Sequence, residues 1–367
     1  MKRTLIKWVS VVQIGLMALA PAISHACSSF TLKEKDGNYV YARTMEFGKS
    51  LQEKLLLFPR NYHYKGVGPD GVPGSGLNWT GKYAAVGVNA FGLELLVDGM
   101  NEKGMSGGML NQPNYAQYQD PKGDDGKNSI ASYQTLIWIL SNFANTDEVK
   151  AALPKIFVNS STLGQWKGIV KIHLTLHDTN GKSITIEYLG GKLTITDNPS
   201  GVMTNDPPMS WQFANLGNYV NLSPVEKPPV KVNDQTFLPP SSGSGLHGLP
   251  GDFLSPSRFL RAFMFSQAAQ KYAADRPKVE TAWHILNMFD IPPGAVMIPA
   301  GDAYAGGEAG WEKTQESIVV DSKNLHYYVR PFGGLNIMKF NLKDHDLNAN
   351  TLKTWDLTGS TNYVNIK

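Results

Sequence analysis

"CSSFTLKEKDGNYVYARTMEF", residues 27–47, reads as two β-rich runs either side of an Asp36-Gly37 turn signal. A hairpin of this size starts its first strand at Cys27 and ends its second at Arg43 and Glu46, so it can return those three side chains to one end. Cys27 is the only cysteine of the chain. The 26 residues before it have a three-part layout. Lys2, Arg3 and Lys7 make a basic start, and an apolar stretch runs from Trp8 to about Ile23. Ser24-His25-Ala26 then puts small residues at the two positions a signal peptidase reads. Residues 1–26 therefore read as a secretory signal. The apolar run is short for a membrane span and is interrupted by Gln13 and Pro21, which argues against an uncleaved anchor. A lipoprotein signal, cut just before a cysteine, is the other alternative, but Ser24 and His25 fit it poorly. Cleavage after Ala26 makes Cys27 the new N-terminus.

Taking those three cations from the 34 Lys and Arg leaves as many as the 31 Asp and Glu, so the formal +3 belongs to the signal. A neutral remainder with no later basic cluster argues against a nucleic-acid or anionic-membrane partner. At 42% hydrophobic the composition is ordinary globular material. A single cysteine forms no internal disulfide; in an exported protein it points to intermolecular pairing, a reactive thiol or a buried structural residue.

After the hairpin, residues 60–80 read as a long loop. "KYAAVGVNAF" and "GLELLVDGMNEKGMSGGMLN" read as two or three strands broken by glycine turns, and 112–128 as another loop. Apolar spacing predicts a helix over 129–143 and a short one near 147–154. "IVKIHLTLHDTNGKSITIEYLGGKLTITDNPSGVMTN" is the clearest sheet segment, with turns at Asn180-Gly181 and Gly190-Gly191. Residues 222–252 are rich in Pro, Gly and Ser and read as loop. Ser255-Pro256 opens a helix to about Ala274, with Ser255 as its N-cap. A further helix over 278–289 and strands near 316–330 and 334–341 complete the pattern. This order implies an α+β fold, two antiparallel sheets packed between helix layers, with residues 27–367 as one domain.

If Cys27 is the processed N-terminus, one residue carries both a thiol and a free α-amine. That amine titrates at about 7.7–8.0, low enough to act as a base near neutrality, and a neighbouring cation such as Arg43 favours the thiolate. None of the eight histidines sits in a recognisable Cys-His protease motif. There is no His-Glu-x-x-His and no cysteine pair, "QDPKGDDGKN" (119–128) lacks calcium-loop spacing, and no phosphate loop or dinucleotide fingerprint occurs, so no metal or cofactor is expected.

Five stretches together resemble the choloylglycine hydrolase group of N-terminal nucleophile hydrolases, which includes penicillin V acylases and bile salt hydrolases. They are the hairpin itself, "GMNEKGMSGGMLNQPNYAQY", "IEYLGGKLTITDNPSGVMTNDP", "NLGNYVNLSP" and "LPGDFLSPSRFLRA", in the family's order. The resemblance implies a four-layer αββα fold and hydrolysis of a non-peptide C–N amide bond by Cys27. It implies that Arg43 contacts the nucleophile and that Asn205 donates its side-chain amide to the oxyanion. The backbone N–H of Asn111 would complete the oxyanion hole, and Arg258 would support the nucleophile electrostatically. A cation at Arg258, in a first helical turn, opposes the helix dipole, which suggests a pull from elsewhere. Glu46 stands where many relatives carry aspartate, so its carboxylate reaches one methylene further.

The implied substrate is a small N-acyl amide of the penicillin V or N-acyl homoserine lactone type, with conjugated bile acids as the alternative. A non-catalytic exported binding protein on the same fold is the different-class reading. Periplasmic or secreted location, no membrane insertion after processing, and a homotetramer or other homo-oligomer complete the expectations.

Overall fold

The computed structural model describes residues 26–36, 38–164, 168–300 and 309–366. Residues 1–25 of the expected signal and Gly37 of the expected turn lie outside them. Strands β1 (Cys27–Lys33) and β2 (Tyr39–Phe47) form the antiparallel hairpin, with Cys27 opposite Met45 and Ser29 opposite Arg43. The other strands of the two large sheets are β3 (Lys54–Phe58), β4 (Ala85–Val88), β5 (Asp98–Asn101), β6 (Ser106–Asn111), β7 (Ile172–His177), β8 (Ser183–Leu189), β9 (Lys192–Asp197), β10 (Lys313–Asp321), β11 (His326–Pro331), β12 (Met338–Asn341) and β13 (Lys353–Asp356). One sheet runs β1-β2-β10-β11-β12 and the other β9-β8-β7-β6-β5-β4-β3-β13, with every neighbouring pair antiparallel.

The longer helices are α1 (Thr135–Asn142), α2 (Thr146–Ala152), α3 (Met209–Leu216), α4 (Ser255–Tyr272) and α5 (Lys278–Leu286). Helices α4 and α5 pack on the first sheet and α1 on the second. The faces of β2 divide accordingly. Tyr39 and Tyr41 reach across to the second sheet, where their hydroxyls donate to His177 O at 2.6 Å and Asp98 Oδ2 at 2.8 Å. One core joins the two sheets to α4 and α5 through residues such as Phe30, Val88, Ile318, Phe259 and Ile285. A second fills the space under α1 with Phe58, Leu136, Ile139 and Leu174. The α+β, αββα architecture is the expected one.

Several boundaries differ from the sequence expectation. The helix expected from 129 begins only at Thr135, because Ser129–Ala131 pairs as a strand with Phe157–Asn159 and Ser129 O accepts from Leu77 N. The stretch read as one strand over 316–330 is the hairpin of β10 and β11. Its turn carries no glycine; Asn324 bonds Asp321, and Leu325 takes φ 58°. Ser255 lies inside α4, with Leu254 at the cap. Asp252 does the anchoring there, accepting from Leu254 N and Ser257 Oγ, both at 2.9 Å. The expected loop over 222–252 contains a small hairpin, Val230–Val232 with Gln235–Phe237. Strands β3 and β13 and helix α3 have no counterpart in the sequence reading.

Candidate active site

The hairpin register fixes the site. Cys27 and Ser29 face Met45 and Arg43 across β1 and β2, so Arg43 is the diagonal neighbour of Cys27, within reach of a long side chain. Where β2 meets β10 the register slips between Met45 and Glu46. Such a bulge re-aims side chains that strict alternation would send to opposite faces. Met45, Glu46 and Phe47 consequently all line one cavity with Cys27.

Cys27 is held at both its backbone N–H and its carbonyl. Its backbone N–H donates to Asn205 Oδ1 at 2.7 Å, and its carbonyl accepts a short hydrogen bond from Arg258 Nη1. Arg258 also donates to Ser28 Oγ and Asn205 Oδ1, both at 2.9 Å, and to Phe253 O at 2.8 Å. The first-turn cation thus faces the nucleophile's own backbone, not the helix dipole. Asn205 Nδ2 donates to Asn111 O at 2.9 Å, which brings Asn111 and Asn205 to the same wall. Met109 N–H donates to Val97 O at 2.8 Å. Two residues on, strand alternation turns the Asn111 N–H to the same side, beyond the start of β5, and Asn111 is among the residues that line the cavity.

Arg43 is buried and its Nη1 donates to Met109 O at 3.0 Å, to Val97 O at 3.3 Å and to Asp98 Oδ2 at 3.4 Å. Its Nη2 is buried without a protein acceptor, leaving one donor of the fork unused. Asp98 in turn accepts from the hydroxyls of Tyr41 at 2.8 Å and Tyr327 at 2.7 Å. Gly108 makes room for this cluster: a Cβ there would lie 2.4 Å from Arg43 Nη1, 2.7 Å from Asp98 Oδ2 and 2.8 Å from Tyr41 Oη.

The electrostatics are those of a closed site. Burial pushes the Cys27 thiol up, Arg43 and Arg258 pull it down, and the Glu46 charge pushes it up again while a hydrogen bond from the Glu46 backbone opposes that. Burial raises the Glu46 carboxyl from 4.5 to about 8, with the Glu312 charge adding to the rise and Arg258 and Arg43 pulling against it. Thr314 Oγ1 donates to Glu46 Oε1 at 3.2 Å, and Oε2 has no partner. The Ala26 N–H donates to the buried Glu312 Oε1 at 2.6 Å, so a second carboxylate lies next to the Ala26–Cys27 bond.

All six sequence-derived residues, Cys27, Arg43, Glu46, Asn111, Asn205 and Arg258, converge here. Four supporting groups were not singled out. Asp98, Tyr41 and Tyr327 hold Arg43, and His173 Nε2 lies 2.8 Å from Thr204 O, fixing the backbone next to Asn205. His173 Nδ1 lies 3.4 Å from Glu187, whose carboxyl burial pushes up but His173 and Gln112 pull below its ordinary range. The apolar alternation around Asp98 and His173 gave no signal, because their partners come from distant strands. No histidine lines the Cys27 cavity among the described residues, which leaves a Cys-His pair without a partner.

The cavity is about 610 Å³ and otherwise apolar, with Leu51, Phe91, Leu95, Val97, Val170 and Ile172 among its walls. A thiol at one end, with amide donors beside it, can attack a carbonyl whose acyl group fills the apolar space.

Comparisons with known proteins agree with this geometry. The family model described as linear amide C–N hydrolases, choloylglycine hydrolase family, matches residues 27–355, beginning at the cysteine. A bile salt hydrolase/transferase of Clostridium perfringens is 32% identical over 344 residues, covering 92% of this chain and 100% of that protein. A penicillin V acylase of Pectobacterium atrosepticum is 28% identical over 349 residues, 91% of this chain and 86% of that protein. Among solved structures, a variant of the conjugated bile acid hydrolase from Clostridium perfringens superposes with TM-score 0.83 at 29% identity, covering 93% of this chain and 100% of that one. The penicillin V acylase from Agrobacterium tumefaciens shares the fold, with TM-score 0.70 at 23% identity over 91% and 95% of the two chains.

Proposed function

We propose, since the chain belongs to the choloylglycine hydrolase family of linear amide C–N hydrolases, that it is an exported acylase whose nucleophile forms when the Ala26–Cys27 bond is cut. Residues 1–26 are then the export signal, residues 27–367 the catalytic domain, and the periplasm or the exterior the working compartment. The observation that carries the reading is the convergence of Asn205, Arg258 and Arg43 on Cys27 at the end of an apolar cavity.

Cleavage turns the Cys27 amide N–H into an amine, at a position already bonded to Asn205. The thiol is held up by burial in the intact chain; the cut removes Ala26 and supplies a neutral amine on the same residue that can take the thiol proton, and the ammonium so formed stabilises the thiolate beside it. The thiol passes its proton to the α-amine as Sγ bonds to the substrate carbonyl carbon. The resulting oxyanion takes hydrogen bonds from Asn205 Nδ2 and Asn111 N–H. The α-ammonium then protonates the leaving nitrogen as the C–N bond breaks, giving a thioester and a free amine. A water, deprotonated by the α-amine, hydrolyses the thioester and releases the acid. Arg43 stabilises the thiolate, Arg258 positions Cys27 and Asn205, and the Glu46 carboxyl tunes the charge beside them.

The apolar walls support an apolar acyl group, phenoxyacetyl or fatty acyl, on penicillin V or an N-acyl homoserine lactone. A second reading, a conjugated bile acid, is favoured by the identity and coverage of the Clostridium perfringens relative. For assembly, the exposed Val230, Val232, Phe237 and Leu238 around the small hairpin support a homo-oligomer. The test is a panel of these three amide classes on wild type and Cys27→Ala, with intact mass to confirm a chain starting at Cys27. Hydrolysis of one class by wild type, lost on the order of 10⁶-fold in Cys27→Ala, is expected. Turnover that survives the substitution, or a mature start elsewhere, overturns the reading.

A further inference from the structure

A second, larger cavity of about 1120 Å³ lies against the catalytic one. The two share Leu95, Tyr133 and Leu163 as walls. Beyond that partition Tyr62, Tyr64, Trp79, Leu93 and Ile137 give an aromatic and apolar lining, to which His63, Lys65, Glu94 and Gln134 add polar groups. Tyr64 stacks on Trp79 with ring centroids 4.7 Å apart and an interplanar angle of 8°, and Tyr62 meets Tyr64 edge-on at 4.9 Å. Two of these rings have their polar edges tied by hydrogen bonds, and the Tyr64 hydroxyl is buried without a partner. Trp79 Nε1 donates to Ser141 Oγ at 3.0 Å, and the Tyr62 hydroxyl donates to Glu94 Oε2 at 2.7 Å, at the rim. Tyr133 is half-buried, and among the described residues no hydrogen bond holds its side chain, so packing alone keeps the partition in place.

We propose that Tyr133 and Leu163 form a movable partition and that the chamber behind it receives the distal part of a long unbranched acyl chain. The inference rests on the acylase reading above and deepens it. The occupant follows from the path: Cys27 and the amide donors stand at one end of the catalytic cavity, and only apolar walls lie between them and the chamber. A polar amine leaving group has no partner along that route, whereas methylenes do. A chain too long for the first cavity displaces Tyr133 and lies along the Tyr62, Tyr64 and Trp79 rings.

The experiment is a kcat/KM series on N-acyl amides of one amine, from butanoyl to dodecanoyl. Each methylene removed from water is worth up to about fourfold, so dodecanoyl should exceed hexanoyl by at least about tenfold. Tyr133→Leu, which thins the partition, should raise the dodecanoyl-to-hexanoyl ratio. Leu93→Trp, which fills the far chamber, should lower it by about tenfold or more. Because each variant is read as a ratio, general losses of activity cancel. A wild-type profile that flattens or falls beyond hexanoyl overturns the proposal with no variant needed, as does a ratio that neither substitution moves. If wild type cleaves no amide of the series, the acylase reading fails by itself. Calorimetry of dodecanoate against hexanoate on Cys27→Ala protein then decides the chamber. Tighter binding of dodecanoate that Leu93→Trp abolishes supports it, and equal binding overturns it.

Discussion

The molecule contains two hairpins built from similar local ingredients, and they end in opposite surroundings. In the Cys27–Phe47 hairpin every residue of β2 is buried, Arg43, Thr44 and Glu46 included. In the Val230–Phe237 hairpin all six strand residues are exposed, Val230, Val232 and Phe237 included. The second turns at Asn233, which takes φ 52°. Strand β2 pairs with β10 on its free edge, lies under α5, and faces the second sheet. The outer hairpin pairs only with itself in the sheets of the described residues. Local preference forms the ribbon in both cases; neighbours decide what the ribbon is worth. Only in the buried hairpin can a charge such as Arg43 acquire a shifted proton affinity and a chemical role, because water no longer levels it.

Breaking the tie between the buried hairpin and the rest of the site should have the largest effect. Asn205→Ala removes the proposed oxyanion donor and the acceptor for both Cys27 N and Arg258 Nη2. We expect kcat to fall about 10²–10³-fold with a smaller change in KM. Stability should fall by about 1–3 kcal/mol in urea melts, since Arg258 is left short of a buried acceptor. A kcat within tenfold of wild type would remove Asn205 from the oxyanion site.

The same contrast explains how much was legible in the sequence. The buried hairpin announces itself through Asp36-Gly37 and β-rich runs, which point to Cys27, Arg43 and Glu46, and the resemblance of four further stretches to the choloylglycine hydrolase family points to Asn111, Asn205 and Arg258. What holds them could not. Asp98 sits in a stretch that reads only as strands broken by glycine turns, yet it anchors Arg43 and is itself held by Tyr41 and Tyr327, the strands β2, β5 and β11 being far apart in sequence. Gly108 looks like one more turn glycine until its missing Cβ proves to be the space Arg43 occupies. The bulge at Met45 and Glu46 depends on β10, some 270 residues away (Thr314 pairs with Glu46, |i−j| = 268). The outer hairpin was hidden for the converse reason, its strands being three residues long inside a segment dense in Pro, Gly and Ser.

A smaller effect tests the claim that burial alone distinguishes the charges of the first hairpin. Glu46 keeps its proton in the folded protein up to about pH 8, whereas an unfolded glutamate loses it near 4.5. Between those values the folded state binds more protons than the unfolded one, so this group's contribution makes stability fall as pH rises. In Glu46→Gln that contribution vanishes. Urea midpoints should therefore decline less steeply from pH 5 to pH 8 in the variant than in wild type. Identical slopes would show that Glu46 ionises in the folded state as it does in water. If cleavage after Ala26 frees the Cys27 α-amine, its ammonium form pulls the carboxyl down, so the slope should be shallower in a chain starting at Cys27 than in one retaining Ala26.

The least disruptive change falls on the outer hairpin. Val230 and Phe237 are directly opposed and exposed, so Val230→Lys with Phe237→Lys should alter the stability of a single subunit by no more than about 0.5 kcal/mol. Like charges placed opposite one another weaken the pairing itself only slightly. If these apolar side chains hold copies together, light scattering should show a smaller species at unchanged concentration, while kcat on the best amide stays within twofold. An unchanged mass would remove the hairpin from any interface. A large loss of kcat would contradict the contrast between the hairpins, because it would make the exposed ribbon part of the same machinery as the buried one.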